Sequence, residues 1–146
     1  MKIYLDTSVI SALYDVRTPE RQEMTRVAWA RLDGHEVFLS QTVIDELNNA
    51  PFQLREKMLA VVSPFTVLPV SAAAGTLANI YVGQGIFPKR YFDDALHVAI
   101  ASVNNIGVLL SWNFSHLVKL NTRRMVALVN AVENHMPVEI ISPPEL

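Results

Sequence analysis

The sequence predicts an α/β protein, a three-layer α/β/α sandwich built around a central parallel sheet. Short apolar segments of strand-forming residues alternate with longer segments whose apolar residues recur at helical spacing. The segment 108–110 is apolar at every position, which is typical of a parallel strand covered on both faces. A chain of 146 residues with 51% hydrophobic content can build one continuous core, so we expect a single domain over residues 1–146.

The first strand is predicted at residues 3–5, and Asp6 follows directly at its end. Thr7 or Ser8 is then expected to cap a short helix that carries Val9 to Leu13. In an open parallel sheet, ligands bind at the carboxyl ends of the strands. Asp6 is therefore a candidate metal ligand, although a turn or cap residue would have the same sequence position.

The middle of the chain continues the alternation of helix and strand. Helices are predicted at 19–32, 41–48, 52–62 and 72–83, with strands at 36–40 and 65–68. The polar side of the first of these helices and its margins carry Arg17, Arg21, Arg26 and Arg31. Such a set is more often a solvated face than a track of phosphate contacts. On a helical wheel Glu46 flanks the apolar stripe of its helix and Asp45 points further out, so Glu46 is the better candidate for a pocket.

The second half begins with the longest irregular connection, residues 83–90, which ends in a basic pair and lacks the spacing of a phosphate-binding glycine loop. A helix from 91 to 101 follows and is apolar on nearly every side, as expected for a helix packed within the core. Asp93 and Asp94 stand at its start, where acids also favour the helix dipole, with Asp93 as a possible N-cap. A strand at 108–111, a helix at 116–135 and a strand at 138–141 complete the chain.

Composition excludes several classes of function. The absence of cysteine rules out disulfides and thiolate chemistry, and the net charge of −2 leaves no overall basic field for nucleic acid. No apolar segment is long enough to span a membrane, so we expect a soluble, cytoplasmic protein. The four histidines show neither a zinc-finger spacing nor a His-Glu-x-x-His motif, which disfavours zinc.

Three acids are expected at comparable positions, each at the start of a helix or the end of a strand: Asp6, Glu46 and Asp94. Asn113 follows a later strand and could reach the same edge of the sheet. Clustered carboxylates repel one another unless a hard cation joins them, and oxygen ligands suit Mg²⁺ or Mn²⁺. We therefore predict a magnesium or manganese site at this edge.

These residues also carry a resemblance to a known family. The segments Tyr4-Leu5-Asp6-Thr7-Ser8, Asp94-Ala95-Leu96-His97-Val98-Ala99 and Leu110-Ser111-Trp112-Asn113-Phe114, together with Glu46, resemble the PIN-domain nucleases. Within that family the chain is similar to the small single-domain toxins of the VapC type. The resemblance implies a flavodoxin-like α/β/α fold, a metal site built of acids, and hydrolysis of RNA.

The resemblance also implies roles for individual residues. Asp6, Glu46 and Asp94 match the family's metal-binding acids, and Asp94 is chosen over Asp93 because it directly precedes Ala-Leu. Asn113 replaces an aspartate that many members have, and it is expected to orient water or metal. The hydroxyl of Thr7 or Ser8 matches the one that the family has beside its first aspartate, and both are expected to contact substrate. Independently of the resemblance, we expect substrate contacts from the basic residues Lys89 and Arg90 and from His116, which could equally be exposed polar surface.

The leading hypothesis is therefore a metal-dependent endoribonuclease, the toxin of a toxin-antitoxin pair, with an antitoxin partner and a homodimeric state. The alternative is a catalytically quiet module that binds RNA or protein. A haloacid-dehalogenase-type phosphatase would need an acid at position 8, where Ser8 stands. His97 could face the metal pocket or be a satisfied core residue, and Trp112 could stack a base or pack against a helix.

Overall fold

A computed structural model describes residues 1–146 and contains one five-stranded sheet in which all neighbouring strands run parallel. The strands are β1 (Lys2–Leu5), β2 (Glu36–Ser40), β3 (Thr66–Leu68), β4 (Val108–Leu110) and β5 (Glu139–Ile141). Their order is β3-β2-β1-β4-β5, so the first strand lies at the centre. The predicted α/β class with a parallel sheet is confirmed.

Seven helices connect the strands: α1 (Thr7–Ala12), α2 (Pro19–Ala30), α3 (Gln41–Leu47), α4 (Phe52–Val62), α5 (Ala72–Gly83), α6 (Phe92–Val103) and α7 (Leu120–Val132). Two short 3₁₀ turns are added, Lys89–Tyr91 before α6 and Pro143–Glu145 after β5. None of the helices is long and apolar enough to cross a membrane.

Apolar side chains leave the sheet on both faces, because successive residues of a strand point in opposite directions. Tyr4, Leu39 and Leu109 belong to the larger cluster of 25 buried residues, which includes side chains of α3 to α7. Ile3, Leu5 and their neighbours belong to a second cluster of nine buried residues, which includes Val9 and Ala12 of α1 and packs against Trp29 of α2. The helices thus cover both faces, as the predicted three-layer sandwich requires.

The strand order places a switch point at the middle of the sheet. From β1 the chain proceeds outward through β2 and β3, and it then returns to add β4 and β5 on the other side of β1. The loops after β1 and β4 therefore diverge and leave a crevice at the carboxyl ends of these strands, where ligands bind in open α/β sheets. Leu5 pairs with Leu110, so the next residues, Asp6 and Ser111, lie side by side in this crevice.

Three predicted helix starts are wrong in detail. Asp6 itself caps α1, because its backbone is extended and its Oδ1 accepts the backbone N–H of Val9 at 3.3 Å, so Thr7 is the first helical residue and not a cap. Asp93 is not an N-cap, since Tyr91 precedes the helix and Asp93 lies in its first turn.

The last helix begins at Leu120 and not at His116. The backbone carbonyl of Asn113 accepts the N–H groups of both Leu117 and Val118, which forms a separate turn. Lys119 then has an extended backbone, with φ −142° and ψ 152°, and interrupts any helix that would run through it.

Candidate active site

Asp6 is buried at the switch point and held by serine hydroxyls from two chain segments. Ser8 donates to Oδ1 and Ser111 donates to Oδ2, each at 2.5 Å. The same hydroxyls accept backbone N–H groups of the loop after β4, Ser8 from Trp112 and Ser111 from Asn113, both at 2.9 Å. We call Asp6, Ser8 and Ser111 the Asp6 cage. Burial raises the pKa of Asp6 even though these hydrogen bonds and the charge of His97 act to lower it.

Glu46 is held by a chain of side-chain contacts that runs into the core. Its Oε1 lies 2.8 Å from Nε2 of His97, and Nδ1 of His97 lies 2.7 Å from the hydroxyl of Tyr4. The Tyr4 hydroxyl also contacts the Ser40 hydroxyl at 2.7 Å. His97 is only 2% exposed, so it is both a satisfied core residue and a contact of the site. Burial alone would lower the pKa of His97, but the hydrogen bond to Glu46 and the nearby acids raise it.

Asp94 lies in the first turn of α6, half-buried, while the adjacent Asp93 is exposed. Its carboxylate receives no hydrogen bond from the protein. Burial raises the pKa of Asp94, the positive charges of His97 and His116 lower it, and the charges of Asp6 and Glu46 raise it again. Asp6 and Glu46 are therefore near enough to Asp94 to raise the pKa of its carboxyl group.

The two adjacent acids of α3, Asp45 and Glu46, also differ in exposure. Asp45 is exposed and accepts a hydrogen bond from Gln41 at 2.9 Å on the helix surface. Glu46 is directed to His97 instead. Glu46 is thus the acid of this pair that lies beside the other site residues.

Asn113 and His116 form a turn at the edge of the site. The amide oxygen of Asn113 accepts the backbone N–H of His116 at 2.9 Å. The His116 ring packs on the ring of Tyr91, with 4.0 Å between centroids, and the guanidinium of Arg90 lies 5.0 Å from the Tyr91 ring. Lys89 and Arg90 are exposed in the 3₁₀ turn before α6.

Thr7, the remaining predicted contact, lies in the first turn of α1 beside Asp6. Its hydroxyl is buried and has no hydrogen-bond partner in the protein. A buried hydroxyl without a partner is costly, so this group is a candidate for an interaction with substrate or bound water.

The acids fit a hard cation by residue type. Three carboxylates are the oxygen donors that Mg²⁺ and Mn²⁺ prefer, and the mutual repulsion of their charges is the kind that a cation relieves. In the observed conformation no three His, Cys, Asp or Glu side chains are arranged so that they could hold a metal ion. The Asp6 oxygens are directed to serines and a Glu46 oxygen to His97, whereas the Asp94 carboxylate is free of hydrogen bonds.

The family follows from a sequence comparison. The model of the PIN domain matches residues 3–113, which include all of β1 except Lys2, the Asp6 cage and the acids on α3 and α6. The chain belongs to the PIN-domain family. No curated protein matches it.

Solved structures of VapC and VapBC proteins have the same fold as this PIN domain. VapC20 of Mycobacterium tuberculosis, described as a sarcin-ricin-loop-cleaving toxin, has a TM-score of 0.62 at 19% identity and covers 78% of this chain and 92% of its own. VapBC-1 of nontypeable Haemophilus influenzae has a TM-score of 0.60 at 16% identity, with 98% of both chains covered. VapBC2 of Rickettsia felis, bound to a promoter DNA fragment, has a TM-score of 0.59 at 13% identity, covering 97% and 98%.

Ser111 and Tyr91 are among the contacts of this PIN domain that sequence reasoning missed. Ser111 carries a hydroxyl and follows the apolar strand β4, which is the neighbour of β1. Its contact with Asp6 could have been predicted from the sequence if the order of the strands had been known. Tyr91 had no such signal, because its contact with His116 depends on how two loops fold. For Trp112 the packing alternative holds, since it is 8% exposed and its Nε1 donates to Thr25 of α2 at 2.9 Å.

Proposed function

We propose that this PIN-domain protein is a metal-dependent endoribonuclease that hydrolyses RNA phosphodiester bonds and acts as the toxin of a toxin-antitoxin pair. The observation that carries the proposal is the fixed Asp6 carboxylate at the switch point, beside Glu46 and Asp94. The family match supports nuclease chemistry at this edge. The VapC and VapBC neighbours share the fold, which is compatible with a toxin.

Asp6, Glu46 and Asp94 are proposed to hold Mg²⁺ or Mn²⁺. When bound, the ion supplies Lewis-acid stabilisation of the phosphate charge and lowers the pKa of its water. Ser8 and Ser111 fix the Asp6 carboxylate, and these two serines therefore act as positioning residues.

His97 positions Glu46 in the same way, because the imidazole is held on its other side by the Tyr4 hydroxyl. Asn113 orients the loop that carries His116. Lys89, Arg90 and His116 are proposed to contact phosphates, and Thr7 and Ser8 to lie beside the bound substrate. The proposed substrate contacts lie in the first turn of α1, in the 3₁₀ turn before α6 and in the loop after β4.

The experiment that tests the proposal is cleavage of RNA by the purified protein in Mg²⁺ or Mn²⁺, with EDTA as the metal-free comparison. Asp94→Asn should abolish cleavage without unfolding the protein, and Asp93→Asn, its exposed neighbour, should cleave like the parent. If Asp93→Asn loses activity and Asp94→Asn keeps it, the choice between these acids is wrong. Equal activity of the parent and both variants would reject the nuclease site.

One observation favours the second candidate, a PIN-like module that binds RNA or protein without cutting it. Asn113 brings no negative charge, and its amide oxygen is already used by the N–H of His116. This candidate predicts that the parent retains RNA without producing cleaved fragments in either metal. The cleavage assay with a binding measurement on the same samples separates the two functions.

An antitoxin partner and a homodimer complete the proposal. Leu13, Tyr14 and Trp29 line a surface groove of ≈ 700 Å³ between α1, α2 and α4, which is the proposed surface for the antitoxin. Co-expression with a neighbouring small protein should suppress toxicity if that protein is the antitoxin. Light scattering at micromolar concentration should give the mass of two chains, and a monomer would contradict the dimer.

A further inference from the structure

An aromatic and cationic cluster lies directly beside the Asp6 cage. The backbone N–H of Trp112 donates to Ser8 of the cage, and Phe114 follows two residues later. The Trp112 and Phe114 rings meet edge to face, with 6.0 Å between their centroids. The guanidinium of Arg21 on α2 lies 4.7 Å from the Trp112 ring centre and 6.0 Å from that of Phe114. We call Arg21, Trp112 and Phe114 the aromatic platform.

The members of the platform differ in exposure. Trp112 is 8% exposed and its Nε1 donates to Thr25, so its ring is held in place beneath the Arg21 guanidinium. Phe114 is 48% exposed, which leaves much of a large apolar ring in solvent at the edge of the site. The predicted solvated face of α2 therefore contributes one arginine that is held over aromatic rings.

Arg21 is one of the five arginines that have no acidic side chain within 4.0 Å, whereas Arg17, Arg26 and Arg55 each have one. Its position over two aromatic rings distinguishes Arg21 from the other four. A guanidinium without a carboxylate partner, held next to an exposed ring, suits a ligand that combines a flat π-face with negative charge. An unpaired nucleotide has both features, because its base can stack and its phosphate can pair with arginine.

We propose that the aromatic platform binds one unpaired base of a single-stranded RNA, with the base on Phe114 and the adjoining phosphate at Arg21. The inference rests on the proposed function in taking RNA as the ligand of this edge. It adds a specific place for one base, which must be unpaired because a base within a duplex cannot reach a protein ring. A partner protein at the same ring is the competing occupant that the test must separate.

Binding is measured in EDTA, so that no cleavage occurs, with a short single-stranded RNA that carries 2-aminopurine. Stacking on Phe114 should quench the 2-aminopurine fluorescence when the parent protein binds. Phe114→Ala should abolish the quenching and raise the Kd about tenfold, the effect expected for the loss of one base-aromatic stack. Phe114→Leu should behave like Phe114→Ala because it keeps an apolar side chain without a ring, whereas Phe114→Tyr should retain the quenching.

Two controls give the assay its contrast. Met136 is 61% exposed in the loop that precedes β5, at the opposite edge of the sheet, and Met136→Ala should bind like the parent. Arg21→Gln should weaken binding and reduce its dependence on salt, because one phosphate contact is lost.

The inference is overturned if the parent binds no single-stranded RNA, if Phe114→Ala binds and quenches like Met136→Ala, or if a fully paired duplex of the same sequence quenches equally. Loss of antitoxin binding by Phe114→Ala without any change in RNA binding would also overturn it, in favour of a protein occupant. Failure of the proposed function has a different signature. In that case Phe114-dependent quenching persists in EDTA, yet added Mg²⁺ or Mn²⁺ produces no cleavage.

Discussion

Replacing Ser111 by alanine removes the hydroxyl that joins β4 to the carboxylate of Asp6. The variant loses a 2.5 Å hydrogen bond to a buried, ionisable group and leaves the backbone N–H of Asn113 without its acceptor. A hydrogen bond to a charged group contributes about 1.5–3 kcal/mol, and a stranded buried donor costs about 1 kcal/mol or more. We therefore expect a loss of about 2–4 kcal/mol in the free energy of unfolding, or roughly 4–16 °C in Tm for a chain of this size.

The pH dependence provides a sharper test of the same contact. Burial already raises the pKa of Asp6 in the folded protein above its value in the unfolded chain. Between those two pKa values the folded state binds more protons, so this group makes stability fall as pH rises through that window. Ser111→Ala removes an interaction that lowers the pKa of Asp6, so the pKa in the folded variant should be higher still. The variant should therefore lose more free energy of unfolding in neutral buffer than in mildly acidic buffer.

Urea unfolding in EDTA, at about pH 5 and about pH 8, measures both effects. Ser115→Ala is the matched control, because Ser115 is exposed and lies four residues further along the same loop. The reasoning fails if Ser111→Ala and Ser115→Ala have the same midpoint, or if the loss of stability is larger in the acidic buffer.

Three further variants test other parts of the structure. Asp6→Asn should abolish RNA cleavage and, in EDTA, unfold at the same or higher temperature than the parent, since it removes a buried charge; a large drop in Tm would contradict this. Asn113→Asp should lower the Kd for Mn²⁺ measured by calorimetry, because hard-cation affinity rises with ligand charge, whereas Asn105→Asp should leave the Kd unchanged. An unchanged Kd for Asn113→Asp would place Asn113 outside the metal site. Asn130→Ala should lower the free energy of unfolding in urea by about 2–3 kcal/mol, because Asn130 is 1% exposed and its amide oxygen accepts a hydrogen bond from the Tyr81 hydroxyl. A loss below about 0.5 kcal/mol would contradict a structural role for this contact.

The fold could be predicted because its signals are local and repeated. Apolar strands alternating with amphipathic helices specify a parallel sheet, and the positions of Asp6 and Asn113 after strands follow from the same pattern. Helix starts were less predictable, because a single capping hydrogen bond can decide which residue comes first. Asp6 caps α1 in place of Thr7, since its backbone is extended and its side chain accepts the N–H of Val9.

Contacts of the site between distant segments could not be derived from the sequence. His97 belongs to both the core and the site, because one ring nitrogen contacts the Tyr4 hydroxyl and the other contacts Glu46. The sequence alone presented these two positions as alternatives. Ser111 became a site residue only when β4 proved to be the neighbour of β1. Such contacts depend on strand order, which periodicity within each segment does not contain.

The central position of β1 also has a consequence for protein synthesis. Asp6 is made 105 residues before Ser111, so the two halves of its cage leave the ribosome at different times. One edge of β1 can pair as soon as β2 has emerged, but the other edge waits for β4. Any activity that needs the cage therefore arises late in translation, and chains that end at residue 107 should be inactive and easily degraded by proteases. A cell that makes this protein would not meet an active enzyme on an unfinished chain.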